Sequence, residues 1–127
     1  MKRVGNALVI ALFAAGLTAP MSAAFGAGAP PIPGADEAGT EPKGSGTRTS
    51  YTSSKSPEEI MRSYEDTLKG DGWQIHSAGG GGSSWGGGAD LSATKGGEYL
   101  VMSAGGTPGM TNIDLCVWPE RPEDDDC

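Results

Sequence analysis

Hydrophobic positions change period along this chain, and the changes mark its elements. From residue 57 to 69, Ile60, Met61, Tyr64 and Leu68 recur at three- and four-residue spacing, which lines them along one side of a helix. Ser56-Pro57-Glu58-Glu59 reads as the start of that helix. The Ser56 hydroxyl is placed to accept from the Glu59 amide while Glu59 reaches back to the Ser56 amide, and Pro57 falls at the first helical position, where a missing N–H costs nothing. Glu58 and Glu65 each precede a cation by four residues (Arg62, Lys69), the favourable order for pairs on a helix surface. Gly70 and Gly72 supply the stop.

Elsewhere the period is two, the mark of strands. Tyr51 is central to a Thr/Ser-rich stretch over residues 48–54. Over residues 73–78, Trp73 and Ile75 alternate with Gln74 and His76. Residues 79–88 are nearly all Gly and Ser and read as a loop. Two further alternating runs flank Gly96-Gly97, a two-residue hairpin signal. Pairing outward from that turn sets Lys95 opposite Glu98, Ala93 opposite Leu100, Leu91 opposite Met102 and Ala89 opposite Ala104. One face then collects the apolar side chains, a segregation that a one-residue slip destroys. In the last run Ile113, Leu115 and Val117 alternate with Asn112, Asp114, Cys116 and Trp118, and Pro119 and Pro122 end it. The expected order is β-α-β-β-β. The fold class is α+β, a two-layer sandwich of one helix on a four- to five-stranded, mainly antiparallel sheet.

Composition adds the compartment. Lys2 and Arg3 precede an uncharged, mostly apolar run over residues 7–17, followed by small residues, as in a signal peptide over residues 1–24. The run is shorter than the roughly 20 residues that span a bilayer, and no Cys follows it to accept a lipid. Residues 25–47, rich in Gly and Pro, read as a disordered tether. The α+β domain is expected over residues 48–119, with an acidic tail over 120–127. The expected location is therefore periplasmic or secreted, with no membrane association after cleavage.

Sixteen acids against nine Lys and Arg give a formal net charge of −7, which argues against nucleic acid and anionic lipid as partners. In an exported chain, Cys116 and Cys127 are expected to form a disulfide. Cys116 falls on the sheet face opposite Ile113, Leu115 and Val117, so the bond would draw the acidic tail over Tyr99, Val101 and Trp118.

The stretch from Tyr51 through "SPEEIMRSYEDTLKGDGW" (residues 56–73) resembles small bacterial exported domains and lipoproteins, in which a short strand precedes a helix of this pattern and a strand opening on Gly-Trp. The resemblance implies export and fold and no activity. This chain departs from the lipoprotein members in lacking an acylated Cys.

Candidate chemistry is sparse. The Gly-rich stretch 79–88 lacks the Lys-Ser/Thr of a phosphate loop and a following helix. His76 is the sole histidine; Ser77 and Ser92 are candidate nucleophiles for it only because serines are common, and no nucleophile–base spacing supports them. Glu120, Glu123, Asp124, Asp125 and Asp126 lack the interval of a calcium loop. No catalytic, cofactor or metal residue is assigned. Trp85, in a setting of Gly and Ser, is the candidate contact residue, with Tyr99 and Trp118, for a protein, peptide or glycan partner. The leading expectation is a non-enzymatic binding or accessory module. The alternatives are a self-assembling, envelope-associated structural protein and a small hydrolase.

Overall fold

The computed structural model describes residues 29–83 and 86–127. Two strands, β1 (Asp36–Lys43) and β2 (Gly46–Ser53), precede the helix α1 (Pro57–Gly70). Four follow: β3 (Gln74–Ser83), β4 (Gly86–Lys95), β5 (Glu98–Thr107) and β6 (Met110–Trp118). They form one six-stranded sheet in the order β1-β2-β6-β5-β4-β3, and every neighbouring pair is antiparallel. The described residues form a helix-grip-like sheet, mostly strand, with a single helix. The expectation of a four- to five-stranded β-α-β-β-β sandwich is thus corrected, and the reason lies in two stretches whose side chains carry no strand signal.

The first is β1, inside the span expected to be a disordered tether. Its sequence, DEAGTEPK, is exposed almost throughout, so no apolar alternation announces it. An edge strand is held by its ladder and not by burial, and it tolerates Pro42 for the same reason. The ladder to β2 runs from Asp36↔Thr52 to Lys43↔Gly46, with a bulge between Glu37 and Gly39. On the outer face Arg48 ties three strands, reaching Glu41 of β1 at 3.4 Å and Asp114 of β6 at 3.6 Å. Gly46 is obligatory at the start of β2, because a Cβ there would collide with the Val117 carbonyl and Trp118.

The second is the Gly-rich stretch expected to be a loop. Gly79, Gly80, Gly81, Gly82 and Ser83 pair with residues of β4 down to Ser83↔Gly86. A ladder needs only main-chain N–H and C=O groups, so glycines extend β3 and β4 as a bare arm of the sheet.

The helix and the β4–β5 hairpin follow the sequence pattern. Ser56 accepts from the Glu59 amide at 3.1 Å, and the Glu59 carboxylate accepts from the Ser56 amide at 3.1 Å. The hairpin register contains Lys95↔Glu98, Ala93↔Leu100, Leu91↔Met102 and Ala89↔Ala104, and continues to Gly87↔Gly106. Its turn needs positive φ at both central residues, which Gly96 (57°) and Gly97 (93°) supply.

The core lies on the inner face of the sheet. Ile60, Tyr64 and Leu68 of α1 are fully buried against a cluster that includes Leu91, Ala93, Leu100, Met102 and Ile113. The helix packs on β3, β4 and, less extensively, β5. A helix with its side chains is about 10–12 Å across and strands lie about 4.8 Å apart, so one helix covers two or three strands. The inner face of β1, β2 and β6 is left to something else.

Leu91→Ala should cost about 2–5 kcal/mol in urea unfolding, as expected for a fully buried leucine under a helix. A loss below about 1 kcal/mol would show that this face is not close-packed.

Candidate functional site

What reaches that remaining half is the segment of residues 29–35, before β1. Its one large apolar side chain, Ile32, is 3 % exposed and belongs to the core cluster, with Ala29 and Ala35 packed beside it. Three polar contacts fix its course. The Tyr64 hydroxyl, arriving from α1, donates to the Pro30 carbonyl at 2.7 Å. The Ser53 hydroxyl donates to the Gly34 carbonyl at 2.7 Å and accepts from the Lys55 amide at 3.0 Å. The Ile32 backbone hydrogen-bonds the Tyr51 phenol. The segment lies over the inner face beside β2 as a strap.

Between strap and sheet lies a cavity of about 310 Å³. The even spacing of strand residues puts Thr47, Thr49 and Tyr51 of β2 on this face, beside Leu115 and Val117 of β6. Ala29 and Pro31 close it from above, and Glu37 and Thr40 of β1 form the open rim. Floor and rim differ in chemistry. Leu115 and the Tyr51 ring are buried and make the floor apolar. At the rim Thr40 donates to Glu37 at 3.4 Å and shares a hydrogen bond with Thr49 at 3.2 Å. Glu37 has no ion-pair partner among the described residues. Burial, the Glu37 charge and, in the opposite sense, the Ile32 hydrogen bond act on the Tyr51 phenol, whose pKa is raised. Burial raises that of Tyr64 far more. Both phenols stay neutral and available as donors.

Residues 34–109, more than half of the chain, match a family model described as START domain-like. The chain belongs to that START domain-like family. No curated protein matches it. The matched span begins at Gly34 and so takes in β1, in keeping with the sheet starting earlier than expected. It ends at Gly109, so β6, which gives this START-like domain half of its cavity floor, lies beyond it.

The residues singled out from sequence lie on the other face. Cys116 and Cys127 form a disulfide with Cα atoms 5.8 Å apart, which fits an oxidising compartment. It draws residues 119–127 back over a second, smaller cluster of Tyr99, Cys116 and Trp118, with Val101 and Cys127 against it. Tyr99 and Trp118 come together, ring centroids 6.1 Å apart, but are buried there at 7 % and 2 % exposure. Trp118 donates to the Lys43 carbonyl at 3.1 Å, Tyr99 to Asp125 at 3.0 Å, and Arg121 sits 5.2 Å above the Tyr99 ring. With the tail in place neither ring offers a broad contact surface. Trp85 lies outside the described residues. His76 shares a hydrogen bond with Thr94 at 2.7 Å, and Ser77 with Ser92 at 2.8 Å; the histidine is partnered by neither candidate serine. Of the tail acids, Asp125 is engaged by Tyr99 and Arg121, and Asp124 accepts from the Asp126 amide. Among the described residues no group of three His, Cys, Asp or Glu is placed to hold a metal ion.

Sequence reasoning missed the cavity, since Glu37, Thr40 and Thr47 fell within the expected tether. The available signals were the Thr47/Thr49/Tyr51 alternation and the tight Gly44-Ser45 turn before it.

Two outcomes follow. An acid whose folded-state pKa is raised contributes fully below its unfolded value, here 10.0, and that contribution is lost as pH climbs through and above it. Stability should therefore fall above pH 10 in denaturant titrations. Tyr64→Phe should flatten that fall, at a loss of about 1 kcal/mol at neutral pH for the Pro30 hydrogen bond; an unchanged alkaline slope would remove Tyr64 from the core. Reducing the disulfide should lower stability by roughly 3 kcal/mol, the loop-closure entropy of a short crosslinked loop, as read from chemical melts with and without dithiothreitol; equal midpoints would mean the tail is not clamped.

Proposed function

We propose that this START-like domain is an exported, non-enzymatic binding module. Its inner cavity takes a small ligand with an apolar body and a neutral or cationic donor head. The single observation that carries this reading is the hollow between strap and sheet, with an apolar floor at Leu115, Val117 and Tyr51 and, at its mouth, the Glu37 carboxylate, which accepts from Thr40 and has no ion-pair partner among the described residues. The volume is at the lower end of the range for small-molecule sites. START-like domains often bind ligands, which agrees with a hollow in this place. The negative charge of the chain and of Glu37 disfavours an anionic head. Export is supported by the cationic and apolar pattern of residues 1–24 and by a disulfide of the kind kept in oxidising compartments, so the ligand is met in the periplasm or outside the cell.

The test is a thermal-shift screen with small aliphatic and aromatic amines and their neutral alcohol counterparts, because a ligand of the folded state raises Tm by mass action. Hits should lose their shift in Val117→Trp, which fills the cavity from a half-buried position and should leave the unliganded Tm near that of the parent. Glu37→Gln should weaken amines by about tenfold or more and alcohols less, since a hydrogen bond to a charged group contributes about 1.5–3 kcal/mol. Hits that shift Val117→Trp as much as the parent would place binding elsewhere.

A further inference from the structure

The outer face of β3, β4 and β5 carries a second concavity that is independent of the inner cavity. Among the described residues no helix covers this face, and the tail stands along one side of it. The space between tail and sheet is a cleft of about 710 Å³, adjoined by one of about 360 Å³ that shares Ser77, Ser92, Tyr99 and Arg121 with it.

The register sets the floor's chemistry. Ser77 of β3 lies beside Ser92 of β4, which lies beside Val101 of β5; Asp90 lies beside Ser103 one step along. Hydroxyls and a carboxylate therefore repeat about 4.8 Å apart across the strands and nearly 7 Å apart along them. The tail supplies the wall, with Arg121 and Asp126 turned to the cleft. Asp125 is already engaged by Tyr99 and Arg121. Asp90 and Asp126 have no ion-pair partner among the described residues.

These groups define what fits. A serine hydroxyl both donates and accepts, whereas an ionised carboxylate only accepts. Such a surface matches a ligand whose own groups do both and which brings several at sub-nanometre spacing. An anion would face Asp90 and Asp126, and a lipid tail would find little apolar lining: Val101, half-buried, and Leu91 and the Tyr99 ring, both almost wholly buried. We propose that this cleft binds a neutral polyhydroxylated ligand, a saccharide chain laid across β3–β5, and that the disulfide-held tail is one wall of the site.

The experiment is calorimetric titration of the full chain with three neutral oligosaccharides, maltohexaose, cellohexaose and chitohexaose. At least one should bind. Asp90→Asn with Ser92→Ala should weaken it by about tenfold or more, the scale of losing one or two hydrogen bonds, one of them to a charged group. Asp90 is exposed, whereas Ser92 is half-buried and gives up its hydrogen bonds to Ser77 and Tyr99, so the variant should melt somewhat below the parent and stay folded at the temperature of the titration. The Cys116→Ser/Cys127→Ser variant should also bind more weakly, whereas Val117→Trp, in the inner cavity, should bind as the parent does. No heat with any of the three at millimolar concentration would overturn the proposal. So would an affinity unchanged by the Asp90/Ser92 variant, or binding of spermine in place of the sugars. Full affinity in the cysteine variant would overturn the tail's part as a wall.

Discussion

One short helix on a wide sheet is the constraint from which the rest follows. Six strands need an apolar covering over a width of some 24 Å, and α1 packs chiefly on the half formed by β3, β4 and β5. Over β1, β2 and β6 the chain uses an extended strap with one deeply buried anchor, Ile32, and a tyrosine hydroxyl from the helix fastened to its backbone. An extended segment presents fewer side chains than a helix, so it roofs the sheet without filling the space beneath. The hollow is a consequence of how the core is divided.

The two faces of the sheet are stabilised by different means. The inner face relies on close packing around Leu91, Leu100 and Met102. On the outer face a small aromatic cluster is too slight to hold a cover by burial alone. There a covalent bond does the holding, assisted by the Tyr99–Asp125 hydrogen bond and the Arg121–ring contact. Burial and then Asp125 raise the Tyr99 pKa, so the phenol remains a donor to the tail. The acidic residues that make the tail soluble are thereby kept beside the sheet.

Much of the local structure was legible from residues because each signal there is carried by side chains. The Ser56/Glu59 cap, the Ile60–Tyr64–Leu68 stripe, the Gly96-Gly97 turn and the Leu91/Met102 pairing all state their partners in the sequence. The disulfide followed from two cysteines in a chain read as exported, and the face it closes from the parity of Cys116. The parts that escaped are carried by main chain. β1 is polar and exposed, and the glycines of β3 and β4 have no side chains to alternate, so their ladders leave no pattern to read. The strap escaped for a related reason: a lone Ile32 among Gly and Pro resembles a linker until the sheet half that needs it is known. Of the cavity, Tyr51, Leu115 and Val117 were placed in strands from sequence, and their meeting with Glu37 and Thr40 depended on the unseen edge strand.

The central claim is that the strap, and not the helix, covers the β1–β2–β6 half of the inner face. A nuclear Overhauser spectrum of the full chain, with methyl and aromatic groups labelled, tests it most directly. Ile32 should show cross-peaks to the Tyr51 ring, and the Thr47 and Thr49 methyls should show none to Ile60 or Leu68 of the helix. Solvent-like Ile32 shifts with no Tyr51 cross-peak, or helix cross-peaks to Thr47 and Thr49, would contradict the claim and close the hollow.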